Sequence, residues 1–233
     1  MSPTTRSAAA AARRRARRAE IVQATRDLFD ARGLRDANVD DIARAVGVNR
    51  AIIYRHFSGK DELFALTLAG YLAELDELLA AADDDTAAPP ERLAAVSDVF
   101  AEYGLEHPAF LDCAIALLRQ PGDELLTEIS EGALFHLGRL LAGCLGRFAA
   151  VLRAGAATGD FSVDDADLLA TALYLQALGA LHLARTGFYV RGTAGAPEMV
   201  PVDGVTVRRL VVDALVAGAG QPRSAVVRRT RHG

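Results

Sequence analysis

Apolar residues in the first quarter of the chain recur with the period of short helices. Between residues 39 and 46 they fall at i, i+3, i+4 and i+7, counted from Val39, which places them on one helical face. Ile52, Ile53 and Phe57 supply the inward side of a second short segment. Gly47 stands between the two segments and suits a helix end. The pattern therefore predicts two short helices joined by a tight turn.

Polar residues mark where these two helices begin. Asn38 and Asn49 each precede an apolar pattern and suit an N-cap, and Asp41 follows Asn38 at the spacing of a capping box. The side chains left outward on the second helix are polar or cationic: Asn49, Arg50, Tyr54, Arg55 and His56. A helix with such a surface fits the DNA major groove. We therefore predict a helix-turn-helix whose recognition helix is formed by residues 50–56.

Two further helices are predicted beside this unit. Residues 17–31 carry an apolar stripe that is typical of a supporting helix packed behind the other two. Another helix should start at Ser58 as its cap, with Asp61 in the capping-box position, and should end near residue 82. Lys60 stands at its N-terminus beside free backbone N–H groups, and this combination favours a phosphate contact.

The rest of the chain also has a helical pattern. Proline and glycine boundaries predict helices over residues 90–104, 108–121, 123–157 and 205–217, and glycines inside the third leave a kink open. No segment alternates with period two, and the glycine-rich stretch 192–204 is predicted to be a loop. The predicted fold class is all-α.

Residues 168–184 form a helix without any Asp, Glu, Lys or Arg. A helix that is apolar on all sides is buried on all sides. Its length reaches the lower limit for a membrane span, but Gln176 and His182 are expensive in lipid. We prefer a helix buried between its own domain and a partner subunit, where its small residues would permit close contact.

Charge is divided unevenly along the chain. Residues 1–60 hold 13 basic and 6 acidic side chains, whereas the remainder holds 13 basic and 24 acidic ones. A basic head on an acidic body indicates that only the head meets a polyanion. The arginines at 13–18 suit a disordered basic arm, which follows DNA phosphates, enters the minor groove or stays solvated; a transit peptide is a weaker alternative. Residues 221–233 are predicted to be a flexible basic tail.

Cysteine and histidine give no sign of a metal site. Cys113 and Cys144 are too few for a disulfide framework and suit a reducing compartment, as buried thiols or, less favoured, redox sensors. The five histidines are scattered without metal-ligand spacing. We expect no metal and no cofactor.

The helix-turn-helix region resembles the DNA-binding domain of the TetR family of bacterial regulators. The resemblance rests on Ile42-Ala43, Val46-Gly47-Val48, Ile53 to Phe57 and Lys60-Asp61-Glu62-Leu63, at fixed spacing, within residues 17–68. It implies an N-terminal three-helix DNA-binding domain and a C-terminal helical ligand-binding and dimerisation domain. The expected divisions are a basic arm at 1–16, the DNA-binding domain at 17–62, the regulatory domain at 63–220 and the tail at 221–233.

The resemblance also implies roles for single residues. Tyr54, His56 and Lys60 match phosphate-contacting positions, and Arg50 lies where contacts to base edges are common. Two departures stand out: Ala51 replaces a frequent glycine, and Ile52 replaces a frequent threonine and cannot donate to a phosphate. The DNA-binding residues that we predict are Asn38, Asn49, Arg50, Ala51, Tyr54, Arg55, His56 and Lys60.

A regulator of this type implies a homodimer, a double-stranded DNA operator and a small-molecule effector. The family's last two helices commonly form the dimer interface. Candidate ligand contacts among the body helices are Tyr103, His107, Phe110, Phe135, His136, Tyr174 and Gln176, although each residue alone suits ordinary core. The favoured effector is mostly apolar. We predict a cytoplasmic, nucleoid-associated bacterial repressor that binds a palindrome and is released by its effector.

Two other classes of function compete with this prediction. An enzyme is disfavoured because the sequence has no glycine-rich phosphate loop, metal motif or nucleophile elbow. A helical carrier or interaction protein that binds nucleic acid loosely through its basic arm is the main alternative. It predicts DNA binding with a steep salt dependence and no operator preference.

Overall fold

The computed structural model describes residues 3–33, 38–119, 127–192 and 195–220. Helices dominate, with one short hairpin before the last helix. The elements in chain order are α1 (Pro3–Arg32), α2 (Val39–Ala45), α3 (Arg50–His56), α4 (Lys60–Ala82), α5 (Pro89–Glu106), α6 (Pro108–Leu118), α7 (Glu131–Thr158), α8 (Ala166–Thr186), β1 (Phe188–Gly192), β2 (Pro197–Pro201) and α9 (Gly204–Gly220). The all-α fold class is confirmed.

Helix α1 begins much earlier than the sequence pattern predicted. It runs from Pro3 to Arg32, so the prediction of a disordered arm is wrong for residues 3–16. The segment lacks glycine and combines Ala8 to Ala12 with a run of arginines, and both residue types are strong helix formers. Because the adjoining residues 17–32 are already a packed helix, the arm extends an existing nucleus instead of forming one. Residues 221–233, the predicted tail, lie outside the described part of the chain.

The helix-turn-helix has the predicted caps. Asn38 Oδ1 accepts a hydrogen bond from the backbone N–H of Asp41 at 2.9 Å, and Asn49 Oδ1 accepts one from Ile52 at 3.1 Å. Gly47 has a φ of 71°, a left-handed conformation that glycine adopts without steric cost. Next to it, the N–H of Val48 donates back to the carbonyl of Ala43 at 2.8 Å, which closes the turn.

Helix α4 starts differently from the prediction. Its first residue is Lys60, and the N–H of Leu63 donates to the carbonyl of Gly59, so Gly59 and not Ser58 occupies the cap. Ser58 turns instead toward Glu62: its N–H donates to Glu62 Oε2 at 2.6 Å, and its hydroxyl lies 2.8 Å from the same oxygen. The capping role predicted for Asp61 is therefore replaced by Glu62, which reaches the backbone one turn earlier.

The described residues form two compact units. Unit 1 contains the described residues within 1–78 and 102–144, and unit 2 contains those within 79–101 and 145–220. The core of unit 1 includes Ile21, Phe29, Ile53 and Phe110, all of them fully or almost fully buried. Helix α6 contacts α1, so the DNA-binding helices share their unit with part of the predicted regulatory domain. The predicted boundary at residue 62, between the DNA-binding domain and the regulatory domain, does not coincide with a boundary between the two units, and it stays a prediction about function.

Helix α8 is buried on one side only. Asp165 caps its start, Gly187 with a φ of 77° ends it, and Leu173, Leu178 and Leu181 face the core of unit 2. On the opposite side Leu168 is 61% exposed and Leu175 is 45% exposed, so the side that was predicted to meet a partner subunit is open in the single chain. By length and composition α7 and α8 could each cross a membrane. This indication is weak, because the core helices of soluble proteins meet the same criteria.

A two-stranded hairpin stands where a loop was predicted. Strand β1 pairs with β2 in antiparallel register, from Phe188 opposite Pro201 to Gly192 opposite Pro197. The prediction of a loop over 192–204 is therefore wrong for residue 192 and for residues 197–201. The strands are mostly exposed on both faces. Because neither face packs on a core, apolar and polar residues need not alternate along the strands, and the sequence lacks the pattern by which a strand is recognised.

Candidate nucleic-acid interface

The recognition helix α3 is held by two buried side chains and offers the rest of its surface. Ile53 and Phe57 are each 2% exposed, which fixes the inner face of the helix. Arg50, Ala51, Tyr54 and Arg55 are exposed. A seven-residue helix would be unstable alone, so its orientation depends on this packing and on the cap at Asn49.

Arg50 is ordered along the outer face of α3 before any partner binds. Its Nη2 atom donates to the hydroxyl of Tyr54 at 3.1 Å, and Nη1 lies 3.5 Å from Asp40 Oδ2. The guanidinium carbon lies 5.4 Å from the centre of the Tyr54 ring. The hydrogen bond to Tyr54 raises the pKa of Arg50, which therefore stays charged at any working pH. Both predicted contact residues thus present their polar ends at the same place.

His56 lies closer to the interior than the sequence pattern suggested. It is half-buried, and its Nδ1 atom is buried without a hydrogen-bond partner. Burial lowers its pKa, and the positive charges of Arg14, Arg18 and Arg17 lower it further. His56 is therefore neutral near pH 7, so it would contact DNA as a hydrogen-bonding group and not as a cation.

Four other predicted DNA-binding residues are exposed at or near the starts of α2, α3 and α4. Asn38 and Asn49 use Oδ1 for capping, which leaves their amide nitrogens as the groups that can donate outward. Lys60 is exposed at the start of α4, with its ammonium 4.8 Å from the ring centre of Phe64. Ala51 is exposed and offers only a methyl group.

A face of α1 adds positive charge next to the end of α3. Arg14, Arg17 and Arg18 are spaced by three and four residues, so they lie on one side of the helix. Arg18 Nη1 donates to the carbonyl oxygen of His56 at 2.9 Å, which locates this face beside the last turn of α3. Arg17 forms an exposed ion pair with Glu20 at 2.7 Å.

Glu62 is a buried acid that the sequence analysis missed. It is 2% exposed and accepts hydrogen bonds from Ser58, from Ser130 Oγ at 2.7 Å and from Arg18 Nη2. Although burial alone would raise its pKa, the hydrogen bonds lower the pKa of Glu62 to about 2. Only the four-residue spacing from Ser58 is visible in the sequence, because Arg18 and Ser130 are 44 and 68 residues away.

The predicted ligand contacts lie in both units and differ in exposure. Tyr103 and Phe110 are buried, and Tyr103 stacks on His107 with ring centres 4.3 Å apart. The Tyr103 hydroxyl already lies 3.0 Å from Glu74 Oε2 and 3.1 Å from the carbonyl oxygen of Tyr71. These three residues of unit 1 therefore have the contacts of ordinary core.

The remaining four candidates are dispersed. Phe135 is 73% exposed, and His136 is exposed at an open cleft of about 400 Å³ that Arg15 and Arg18 also line. Tyr174 lies in unit 2 at an apolar cavity of about 10 Å³, about the size of one water. Gln176 is exposed on the outer side of α8. Within the described ranges no group of three His, Cys, Asp or Glu side chains could hold a metal ion.

The capped two-helix unit and its cationic outer surface define a helix-turn-helix DNA-binding protein. Residues 21–67 match the family model described as "Bacterial regulatory proteins, tetR family". The resemblance to the TetR family noted in the sequence is thus confirmed over these residues.

Sequence similarity to named relatives covers only part of the chain. The HTH-type transcriptional regulator BetI of Brucella anthropi is 39% identical over 80 residues, 34% of this chain and 41% of that protein. The HTH-type transcriptional regulator SrpR of Pseudomonas putida is 44% identical over 52 residues, 22% of this chain and 24% of that protein. The matched segment thus spans well under half of these relatives. Both are transcriptional regulators, in agreement with the prediction that the chain is not an enzyme.

Similarity of fold extends over most of the chain. A bacterial regulatory protein in the tetR family from Rhodococcus RHA1 has a TM-score of 0.62 at 17% identity, covering 89% of this chain and 98% of that one. RolR in complex with resorcinol has a TM-score of 0.63 at 18% identity, covering 90% of each chain. At these identities the comparison shows a shared fold and leaves the ligand of this chain open.

Proposed function

We propose that this protein is a ligand-responsive transcriptional repressor that binds a palindromic operator as a homodimer in the bacterial cytoplasm, at the nucleoid. The observation that carries the proposal is the exposed, cationic face of α3, on which Arg50 and Tyr54 are held together by a 3.1 Å hydrogen bond. This face combines a guanidinium, which suits guanine O6 and N7, with groups that suit phosphate oxygens.

The proposed DNA contacts divide by chemistry. Arg50 is assigned to base edges in the major groove, and Tyr54, Arg55 and Lys60 are assigned to phosphates. Asn38, Asn49 and Ala51 stand at the edges of the same surface and would add short-range contacts. His56, neutral and half-buried, is assigned a single hydrogen bond to the backbone.

The proposed dimer uses the outer sides of the last two helices. Leu168 and Leu175 on α8 and Val205 and Leu210 on α9 are large apolar side chains that are 45–79% exposed in the single chain. A second copy covering them would remove this apolar area from water. Two recognition helices about 34 Å apart could then enter successive major grooves on one side of the DNA.

The dimer proposal is tested by one charge on this surface. Leu175→Glu should convert the protein to a monomer at micromolar concentration in analytical ultracentrifugation, because a carboxylate would have to be buried in the interface. Leu118→Glu is the matched control, since Leu118 is 55% exposed and lies on α6 in unit 1. A wild-type protein that is itself monomeric would contradict the proposal outright.

The effector is proposed to be small and mostly apolar. The described part of unit 2 offers an apolar cavity beside Phe100, Phe148 and Tyr174. Its volume of about 10 Å³ is too small for any effector, so binding would have to open the cavity by moving these rings. Coupling of roughly 1–3 kcal/mol between effector and operator is typical of such systems.

Operator binding is tested by selecting duplexes from a random pool with the full-length protein. We expect a two-fold symmetric motif that binds roughly 10³-fold more tightly than scrambled DNA at fixed salt. The double variant R50A/Y54A should lose most of this preference. The control is Y189A/R191A on the hairpin, where Arg191 Nη2 also lies 3.1 Å from the Tyr189 hydroxyl. This control should keep the operator preference, and both double variants should sediment like wild type.

The same selection separates the proposal from its main alternative. A loosely binding carrier protein would enrich no motif, and R50A/Y54A would then change affinity for all duplexes alike. Either result would replace the regulator by the alternative.

A further inference from the structure

The carboxylate of Glu62 lies where three segments of unit 1 meet. It accepts hydrogen bonds from Arg18 of α1, from Ser58 in the α3–α4 connection and from Ser130, the residue before α7. The side chain is 3% exposed, so these contacts are made largely out of water. Buried hydrogen bonds to a charged group are among the stronger polar interactions in proteins.

Arg18 connects this carboxylate to the end of the recognition helix. While Nη2 binds Glu62, Nη1 donates to the carbonyl oxygen of His56 at 2.9 Å. The same guanidinium lies 4.9 Å from the ring centre of Phe57, one of the two side chains that bury the inner face of α3. The pair of Arg18 and Glu62 thus holds the last turn of α3 at both its backbone and its side chain.

Ser130 connects the same carboxylate to the start of α7. The Ser130 hydroxyl lies 2.7 Å from Glu62 Oε1, and its carbonyl oxygen accepts hydrogen bonds from Ala133 at 2.9 Å and from Leu134 at 3.0 Å. Two residues earlier, the carbonyl oxygen of Glu128 lies 2.7 Å from Ser58 Oγ. The beginning of α7 and the end of α3 are therefore fixed by one acidic side chain.

We propose that Glu62 is a positioning residue for operator recognition, which sets the orientation of α3 by holding Arg18, Ser58 and Ser130 together and does not itself touch DNA. The inference rests on the proposed DNA-binding function. It also assigns Ser130 a role in recognition, although Ser130 lies 74 residues beyond His56 in the sequence. A displacement of the start of α7 would then reach the recognition helix through two hydrogen bonds.

Electrostatics alone makes the opposite prediction. An acidic group near DNA repels phosphates, so its removal should strengthen binding to every duplex. If Glu62 positions α3, Glu62→Gln should weaken binding to the operator and leave binding to scrambled DNA equal or stronger. The sign of the change in operator affinity therefore separates the two effects.

The experiment measures Kd for the selected operator and for a scrambled duplex of equal length, with the full-length protein at fixed salt. We expect E62Q to lower the ratio of operator to scrambled affinity by about tenfold, the scale of one lost charged hydrogen bond. The charge control is D61N, which removes the same charge one residue earlier and should change the ratio by less than about twofold. Equal ratios for E62Q and wild type would overturn the proposal.

A milder pair of variants keeps the test decisive if E62Q folds poorly. S130A removes one hydroxyl from an exposed residue and should lower the ratio several-fold at unchanged thermal unfolding, whereas S130T keeps the hydroxyl and should restore the ratio. A ratio for S130A equal to wild type would contradict the role of the α7 contact. If wild type shows no operator preference, the proposed function fails, which is a different result from preference retained in E62Q and S130A.

Discussion

The arginine face of α1 gives a prediction whose size can be worked out. Arg14 and Arg17 lie on the side of α1 that also carries Arg18, beside the last turn of the recognition helix. Arg18 is hydrogen-bonded to Glu62. Arg14 and Arg17 lie on the same helix, α1, which runs without a break into the DNA-binding domain. If this face lies along the DNA backbone, both arginines neutralise phosphates in the complex.

Counterion release converts this geometry into a salt dependence. Each phosphate contact contributes about 0.9 to the slope of log affinity against log salt, so two arginines in each half of a dimer contribute about 3.6. Between about 50 and 200 mM salt, that slope corresponds to roughly a hundredfold change in affinity. The ion pair of Arg17 with Glu20 is exposed and should yield to a phosphate at little cost.

The assay is fluorescence anisotropy of the labelled operator with wild type and R14A/R17A across that salt range. We expect the double variant to bind more weakly and with a slope smaller by about 3 to 4. The control R153A/R191A removes two exposed arginines of unit 2 that pair with Asp167 and Glu198, and its slope should match that of wild type. A wild-type slope in R14A/R17A would show that α1 stays away from the DNA.

Three further predictions concern stability and reactivity. A Cβ at Gly155 would lie 2.0 Å from the Phe161 ring, so Gly155→Ala should destabilise the protein by about 1–3 kcal/mol in urea unfolding. Gly146 lies on the same helix with open space around it, so Gly146→Ala should stabilise the protein by about 0.5–1 kcal/mol. Equal effects of the two substitutions would refute this packing. The pKa of Glu62 is about 2 in the folded chain against an ordinary 4.5. The ionised carboxylate therefore stabilises the fold by up to about 3 kcal/mol above pH 4.5, and this stabilisation is lost as the pH falls toward 2. This loss should be absent in E62Q when the free energy of unfolding is measured from pH 6 to 3. Both cysteines are buried, and burial raises the pKa of the Cys113 thiol. A thiol reagent should therefore label the native protein at least about a hundredfold more slowly than the unfolded chain. Rapid labelling of the native protein would support the redox-sensor alternative instead.

Local sequence was sufficient for the helix-turn-helix. The caps at Asn38 and Asn49, the turn at Gly47 and the inward side chains Ile53 and Phe57 all depend on residues within four positions of one another. Helix geometry fixes such relations without reference to the rest of the chain. The bounds of α4 and α8 are also close to those predicted, and glycines lie next to them, Gly59 before α4 and Gly187 after α8.

Tertiary structure decided the features that need distant partners. No spacing in the sequence indicates that Glu62 binds Arg18 and Ser130, and without those contacts Glu62 would be an ordinary exposed acid in the first turn of a helix. His56 looks outward on a helical wheel, yet its Nδ1 atom is buried and Arg18 of α1 binds its carbonyl oxygen. The predicted ligand residues were chosen by type alone, and type does not determine which of them share a cavity. The sequence by itself determined the helix-turn-helix and the exposed cationic face of α3, because these depend on local periodicity and capping. The fold alone decided which groups are buried together, because burial and pairing depend on residues far apart along the chain.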